Sequence, residues 1–111
     1  MKRKIDILGS KYTVEFKSVK EDDFLERCDG YFDKTSKKIV VGKKTDDCEL
    51  DCFEQYQKKV LRHEIVHAFM YESGLADNWE HKRMGQEETV VDWFAIQLPK
   101  ITKVCQELGC M

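Results

Sequence analysis

His63-Glu64-Ile65-Val66-His67 sets two imidazoles four residues apart, with a carboxylate directly after the first. On a helix, residues i and i+4 sit one turn apart on one face, with Cβ atoms about 5–6 Å from each other. Imidazoles so placed can converge on one Zn²⁺ through bonds of about 2.0–2.1 Å. Glu64 then lies beside the ion rather than on it. There it can take a proton from metal-activated water and pass it to a leaving amine. The chemistry this pattern points to is hydrolysis of a peptide bond, with one Zn²⁺ per chain as cofactor and Glu64 as catalytic base.

A catalytic zinc centre usually has three protein ligands and one open position. A metzincin continuation would need Gly and His where Met70 and Ser73 stand, so it is excluded. His81, Glu87, Glu88 and Asp92 are the candidates for completing the centre. Glu88 and Asp92 have helical i, i+4 spacing. Glu88 can therefore reach the metal while Asp92, one turn on, receives the free ring N–H of a ligand histidine. Glu87 borders the same apolar stripe and is its rival within the helix. His81 is an alternative third ligand, or a donor to a transition-state oxyanion. Tyr71 is a second candidate for that oxyanion role. The plainer accounts are a solvated acidic helix start for Glu88, a surface histidine for His81 and core packing for Tyr71.

These residues need elements to hold them. Ile5, Ile7, Tyr12, Val14 and Phe16 alternate with polar residues around Gly9-Ser10, which predicts a β-hairpin over residues 4–16. A single helical turn is expected near 22–27. Tyr31-Phe32 and Ile39-Val40-Val41 read as a second strand pair, turned at Asp33-Lys34-Thr35-Ser36. Lys34, Lys37, Lys38, Lys43 and Lys44 surround the last strand and read as lysines guarding a sheet edge. An acidic run through Glu54 suits a helix N-terminus, with Asp51 and Glu54 at capping-box spacing. That helix should run to Ser73 and stop at Gly74. Val60, Leu61, Ile65, Val66, Ala68, Phe69 and Met70 point in nearly every direction, which predicts a helix buried on most sides. In its middle, His63, Glu64 and His67 are the polar exceptions, and burying them without partners would be costly. After an irregular stretch over 75–85, a helix is expected over 86–98 with Val90, Val91, Phe94, Ala95 and Leu98 inward. Pro99 should end or kink it. A short last helix over 101–108, capped by Gly109, follows.

The 111 residues fit one domain, 1–111, of α+β class: a minimal zincin, with a small antiparallel sheet packed on the His63–His67 helix and two further C-terminal helices. The Ile39–Val41 strand could border the cleft and pair with an extended peptide. A net charge of −2 creates no field that would gather DNA, so a nucleic-acid partner is not expected. No apolar run approaches the roughly 20 residues that span a bilayer, and Met1-Lys2-Arg3-Lys4 is not followed by an export signal's apolar core. A cytoplasmic location follows as an expectation, without membrane partners. The odd cysteine count (Cys28, Cys48, Cys52, Cys105, Cys110) argues for reduced thiols. The partner implied is a protein or peptide substrate.

His63-Glu64-Ile65-Val66-His67-Ala68, then Glu88-Thr89-Val90-Val91-Asp92-Trp93-Phe94-Ala95 and Leu98-Pro99, resembles the ImmA/IrrE metallopeptidases of phages and mobile elements. That family joins H-E-x-x-H to a later E-x-x-A-D-x-F-A helix ending near Leu-Pro. The resemblance covers roughly the second half of the chain. It implies a gluzincin-like site with zinc on His63, His67 and Glu88, with Glu64 catalytic. It further implies repressor-type transcription regulators as substrates. Val91 stands where the family commonly has Ala, and Ile96-Gln97-Leu98 replaces a Leu-rich stretch. Two other readings compete. A SprT-like protease of DNA-associated proteins would use His81 as ligand. A non-catalytic zinc-binding phage protein would close the site with a fourth ligand.

Overall fold

The computed structural model describes residues 2–78 and 88–108, with the side chains of residues 104 and 105 left aside. His81 and Glu87 lie outside the described residues, as do Cys110 and Gly109. The architecture is α+β: a four-stranded mixed sheet and two long helices.

Strands β1 (Lys2–Ile7) and β2 (Ser10–Lys17) form the expected hairpin. Leu8 and Gly9 turn it with φ of 52° and 92°. Positive φ at both central residues matches the strand twist, and glycine takes it without a Cβ penalty. Asp6 accepts the Gly9 N–H at 2.9 Å. A 3₁₀ turn, Asp23–Glu26, is capped by the Asp22 side chain. Strands β3 (Gly30–Asp33) and β4 (Lys38–Gly42) form the second hairpin.

The strand order is β1-β2-β4-β3, and β2 pairs with β4 in parallel. This corrects the antiparallel expectation. Period-two alternation fixes which residues face the core, but parallel and antiparallel pairing satisfy it equally. The order also corrects the placement of the lysine-flanked strand. β4 is paired on both sides, and the edge strands are β1 and β3.

Helix α1 (Phe53–Glu72) packs on the sheet. Ile7, Tyr12, Val14, Ile39 and Val41 form one core cluster with Val60 and Ala68 of α1. Val40, one residue out of phase, is buried on the opposite face beside its register partner Tyr31. The helix stops where expected, with Ser73 as C-cap and Gly74 at φ 84°. Its start differs. Cys52 occupies the N-cap and makes no side-chain capping bond, so the Asp51–Glu54 capping box is not formed. Burial is also less complete than expected: Phe69 is 43% exposed, and Leu61, Ile65 and Val66 are half-buried.

Helix α2 runs unbroken over Glu88–Glu107 with Pro99 inside it, where two helices were expected. Proline cannot donate to the carbonyl four residues back, here that of Ala95. The Arg62 Nε of α1 donates to that carbonyl instead. A tertiary donor thus satisfies the group that the local rule leaves open. The buried stripe of α2 is narrower than expected. Val91 and Ala95 are fully buried, but Phe94 and Leu98 are more than 40% exposed. No described helix is long and apolar enough to cross a membrane.

Candidate metal centre

His63 and His67 fall in the second half of α1, on the side that meets α2, and Glu88 opens α2. Their rings stand edge to face, with Nε2 atoms 3.2 Å apart. The Glu88 carboxylate reaches both: Oε2 lies 3.2 Å from His63 Nε2, and Oε1 lies 2.8 Å from His67 Nε2. Among the described residues these three form a group able to hold a metal ion.

The spacing suits such an ion. Donors each about 2.0–2.1 Å from a tetrahedral centre stand roughly 3.3 Å from one another, close to the separations found here. Two histidines and a carboxylate are also the donor set of a hydrolytic zinc site with one position left open. Burial lowers the pKa of His67, with Glu88 opposing, which favours the neutral imidazole that binds metal.

Asp92 lies one turn beyond Glu88 and reaches His63 from the other side, with Oδ1 3.3 Å from Nδ1. An Nδ1–H directed at that carboxylate leaves the Nε2 lone pair for the metal. The same Oδ1 accepts Lys59 Nζ at 2.7 Å. The Lys59 ammonium holds the Asp92 carboxyl below its ordinary range, with burial opposing and His63 assisting.

Glu64 is the single charged residue found in the core among the described residues, at 8% exposure. It lines one depression with His63, His67 and Glu88, under Gly30 and Tyr31 of the edge strand β3. Burial pushes its carboxyl up to about 7; His63 opposes this and Glu88 adds to it. The close approach of α1 to β3 depends on Gly30. A Cβ there would lie 2.8 Å from Val60 Cγ1 and 3.0 Å from the Val40 carbonyl.

A cavity of about 730 Å³ opens from His67 and Glu88. Phe24, Tyr31, Phe32, Tyr71 and Ala76 supply its apolar walls. Phe24 meets Tyr31 edge to face, and Phe32 lies against Tyr71. Tyr71 lines the same cavity as His67 and Glu88, half-buried, with Lys34 and Lys37 over its ring. Cys28, Cys48 and Cys52 are free thiols.

The structure thus brings together His63, Glu64, His67, Glu88 and Asp92. Lys59 and the aromatic walls Phe24, Tyr31 and Phe32 were not anticipated. For Lys59 a signal existed: it precedes His63 by four residues, so both share a helix face. Phe24 and the Tyr31–Phe32 pair read only as packing residues. Searches of family models, curated proteins and solved structures found no match to this chain.

Proposed function

We propose that this protein is a zinc-dependent endopeptidase, with the metal on His63, His67 and Glu88 and Glu64 as base. The supporting observation is the convergence of two Nε2 atoms and one carboxylate, at 2.8–3.2 Å, beside a buried glutamate. When bound there, zinc supplies Lewis acidity that polarises a carbonyl and eases deprotonation of water.

The chain's own groups supply the rest. Glu64 accepts the proton that water loses as its oxygen joins the carbonyl carbon. It returns that proton to the nitrogen as the C–N bond breaks. The free edge of β3, rather than the Ile39–Val41 strand, offers backbone groups for pairing with an extended peptide. The aromatic-walled cavity beside His67 is of a size to take a substrate side chain. This arrangement supports a minimal zincin of the ImmA/IrrE type. Repressor-type regulators are the substrate class that this resemblance suggests. We place the activity in the cytoplasm, where free thiols stay reduced.

Metal content and peptide cleavage of variants test the proposal. Glu64→Gln should keep its zinc and lose roughly 10²–10⁴-fold in rate. Glu88→Ala should lose zinc affinity, and His81→Ala should retain it. The opposite order would favour the SprT-like arrangement. Full zinc-dependent cleavage by Glu64→Gln would overturn the assigned base. Tight zinc in the wild type without hydrolysis would leave a structural metal.

A further inference from the structure

Lys59 and His63 lie one turn apart on α1, and Glu88 and Asp92 lie one turn apart on α2. The two pairs face each other in antiparallel sense. Lys59 meets Asp92 at 2.7 Å, His63 meets Glu88 at 3.2 Å, and His63 Nδ1 reaches diagonally to Asp92 at 3.3 Å. We infer that Lys59 is a positioning residue of the metal centre: its ammonium pins Asp92, which orients His63 and fixes the α2 register that delivers Glu88. This inference rests on the metal-binding reading above.

Asp92 needs such a partner. Its side chain is 38% exposed, so water competes for it, and an imidazole N–H at 3.3 Å holds it weakly. A charged donor at 2.7 Å is the stronger restraint. Glu88 is 67% exposed and depends on the helix register to meet both histidines. Lys59 is itself steadied. Its Nζ lies 5.9 Å over the Tyr56 ring, and the Tyr56 hydroxyl donates to Asp29. The neighbouring Lys58 is a useful contrast. It pairs with Glu54 within α1, both ends well exposed, and such pairs contribute little. Lys59 instead crosses to the helix that carries the third ligand.

The test compares Lys59→Met, Lys59→Arg, Asp92→Asn and the Lys59→Met/Asp92→Asn double variant. Zn²⁺ affinity is read by chelator competition, and the site's geometry by the visible spectrum of the Co²⁺ form. Lys59→Met should weaken binding about 10–100-fold, as loss of a group supporting a ligand does, and should alter the Co²⁺ spectrum. Lys59→Arg should restore most of both. The double variant should bind no more weakly than Asp92→Asn alone. Unchanged affinity and spectrum in Lys59→Met would overturn the inference, as would additive losses in the double variant. Wild-type protein that binds neither ion would overturn the metal reading instead. In that case ring ¹⁵N shifts of the metal-free protein at mildly alkaline pH report on Lys59 separately. Lys59→Met should move His63 away from its Nδ1–H tautomer; an unchanged tautomer would count against the inference.

Discussion

The Nε–H of Arg62 donates to the Ala95 carbonyl, joining α1 to α2 one residue before the first candidate ligand. It fills the acceptor that Pro99 leaves without a helical donor. Arg62→Met should therefore lower the unfolding free energy by about 1–3 kcal/mol, the cost of leaving a part-buried acceptor unmet. In a Pro99→Ala background the restored backbone N–H takes over, and the same substitution should cost less. Urea unfolding of the four proteins measures this coupling. Equal losses in both backgrounds would show that the two residues act independently.

Gly30 is required by contact rather than by backbone angle. Gly30→Ala should destabilise the fold by about 1–3 kcal/mol, the usual cost of overpacking. Adding Val60→Ala should recover only part of it, because the Val40 carbonyl remains 3.0 Å from the new methyl. Denaturation midpoints decide the matter, and a stable single variant would contradict the packing described.

Removal of metal should be visible in stability. A ligand that binds only the folded state adds about 2.7 kcal/mol at a hundredfold excess over its Kd. Added Zn²⁺ should raise the melting temperature of the wild type, and a chelator should reverse the rise. His63→Ala/His67→Ala should respond to neither. A similar rise in that double variant would place the metal elsewhere.

Glu72 ties the end of α1 to both hairpins. Its carboxylate accepts Ser10 and Tyr12 hydroxyls at 3.0 Å each, and the Lys37 ammonium. Lys37 first holds its pKa below the ordinary value, burial opposes, and the Tyr12 and Ser10 hydroxyls assist. A depressed folded-state pKa gives stability that is present above the unfolded value and is lost as pH falls through the folded one. The denaturation midpoint of the wild type should fall on acidification below the normal carboxylate range. Glu72→Gln should start lower at neutral pH and show a shallower fall. Parallel curves for the two proteins would rule out this carboxylate as a source of the acid sensitivity.

Local chemistry made much of this legible. The first hairpin, the Gly74 stop and the shared face of His63 and His67 follow from spacing and residue type, although the hairpin turns at Leu8–Gly9 rather than Gly9-Ser10. Glu88 and Asp92 were readable as a pair because helical spacing joined them to each other. What was hidden depends on residues distant in sequence. Pro99 reads as an end or a kink of the helix, and the donor that meets the Ala95 carbonyl, Arg62, lies on another helix. Lys59 looks like half of a solvated Lys58-Lys59 pair until Asp92 is placed beside it. The lysines flanking β4 read as guards of a sheet edge, yet β4 lies between β2 and β3, because alternation reveals a strand's faces but not its neighbours. β3 holds an edge, and with it Tyr31 and Phe32 become walls of the cavity.

The parallel seam between β2 and β4 also sets how the chain assembles. Each hairpin closes across a short turn, but Thr13 meets Lys38 and Phe16 meets Val41 only after the intervening segment has looped back. Non-local pairing of this kind is slow relative to hairpin closure. Until the seam forms, β2 and β4 each present an unpaired edge, and α1 has no complete sheet to lie on. Closing that one seam is thus the pairing of the sheet that carries the larger loop-closure cost, and it completes the surface on which α1 packs.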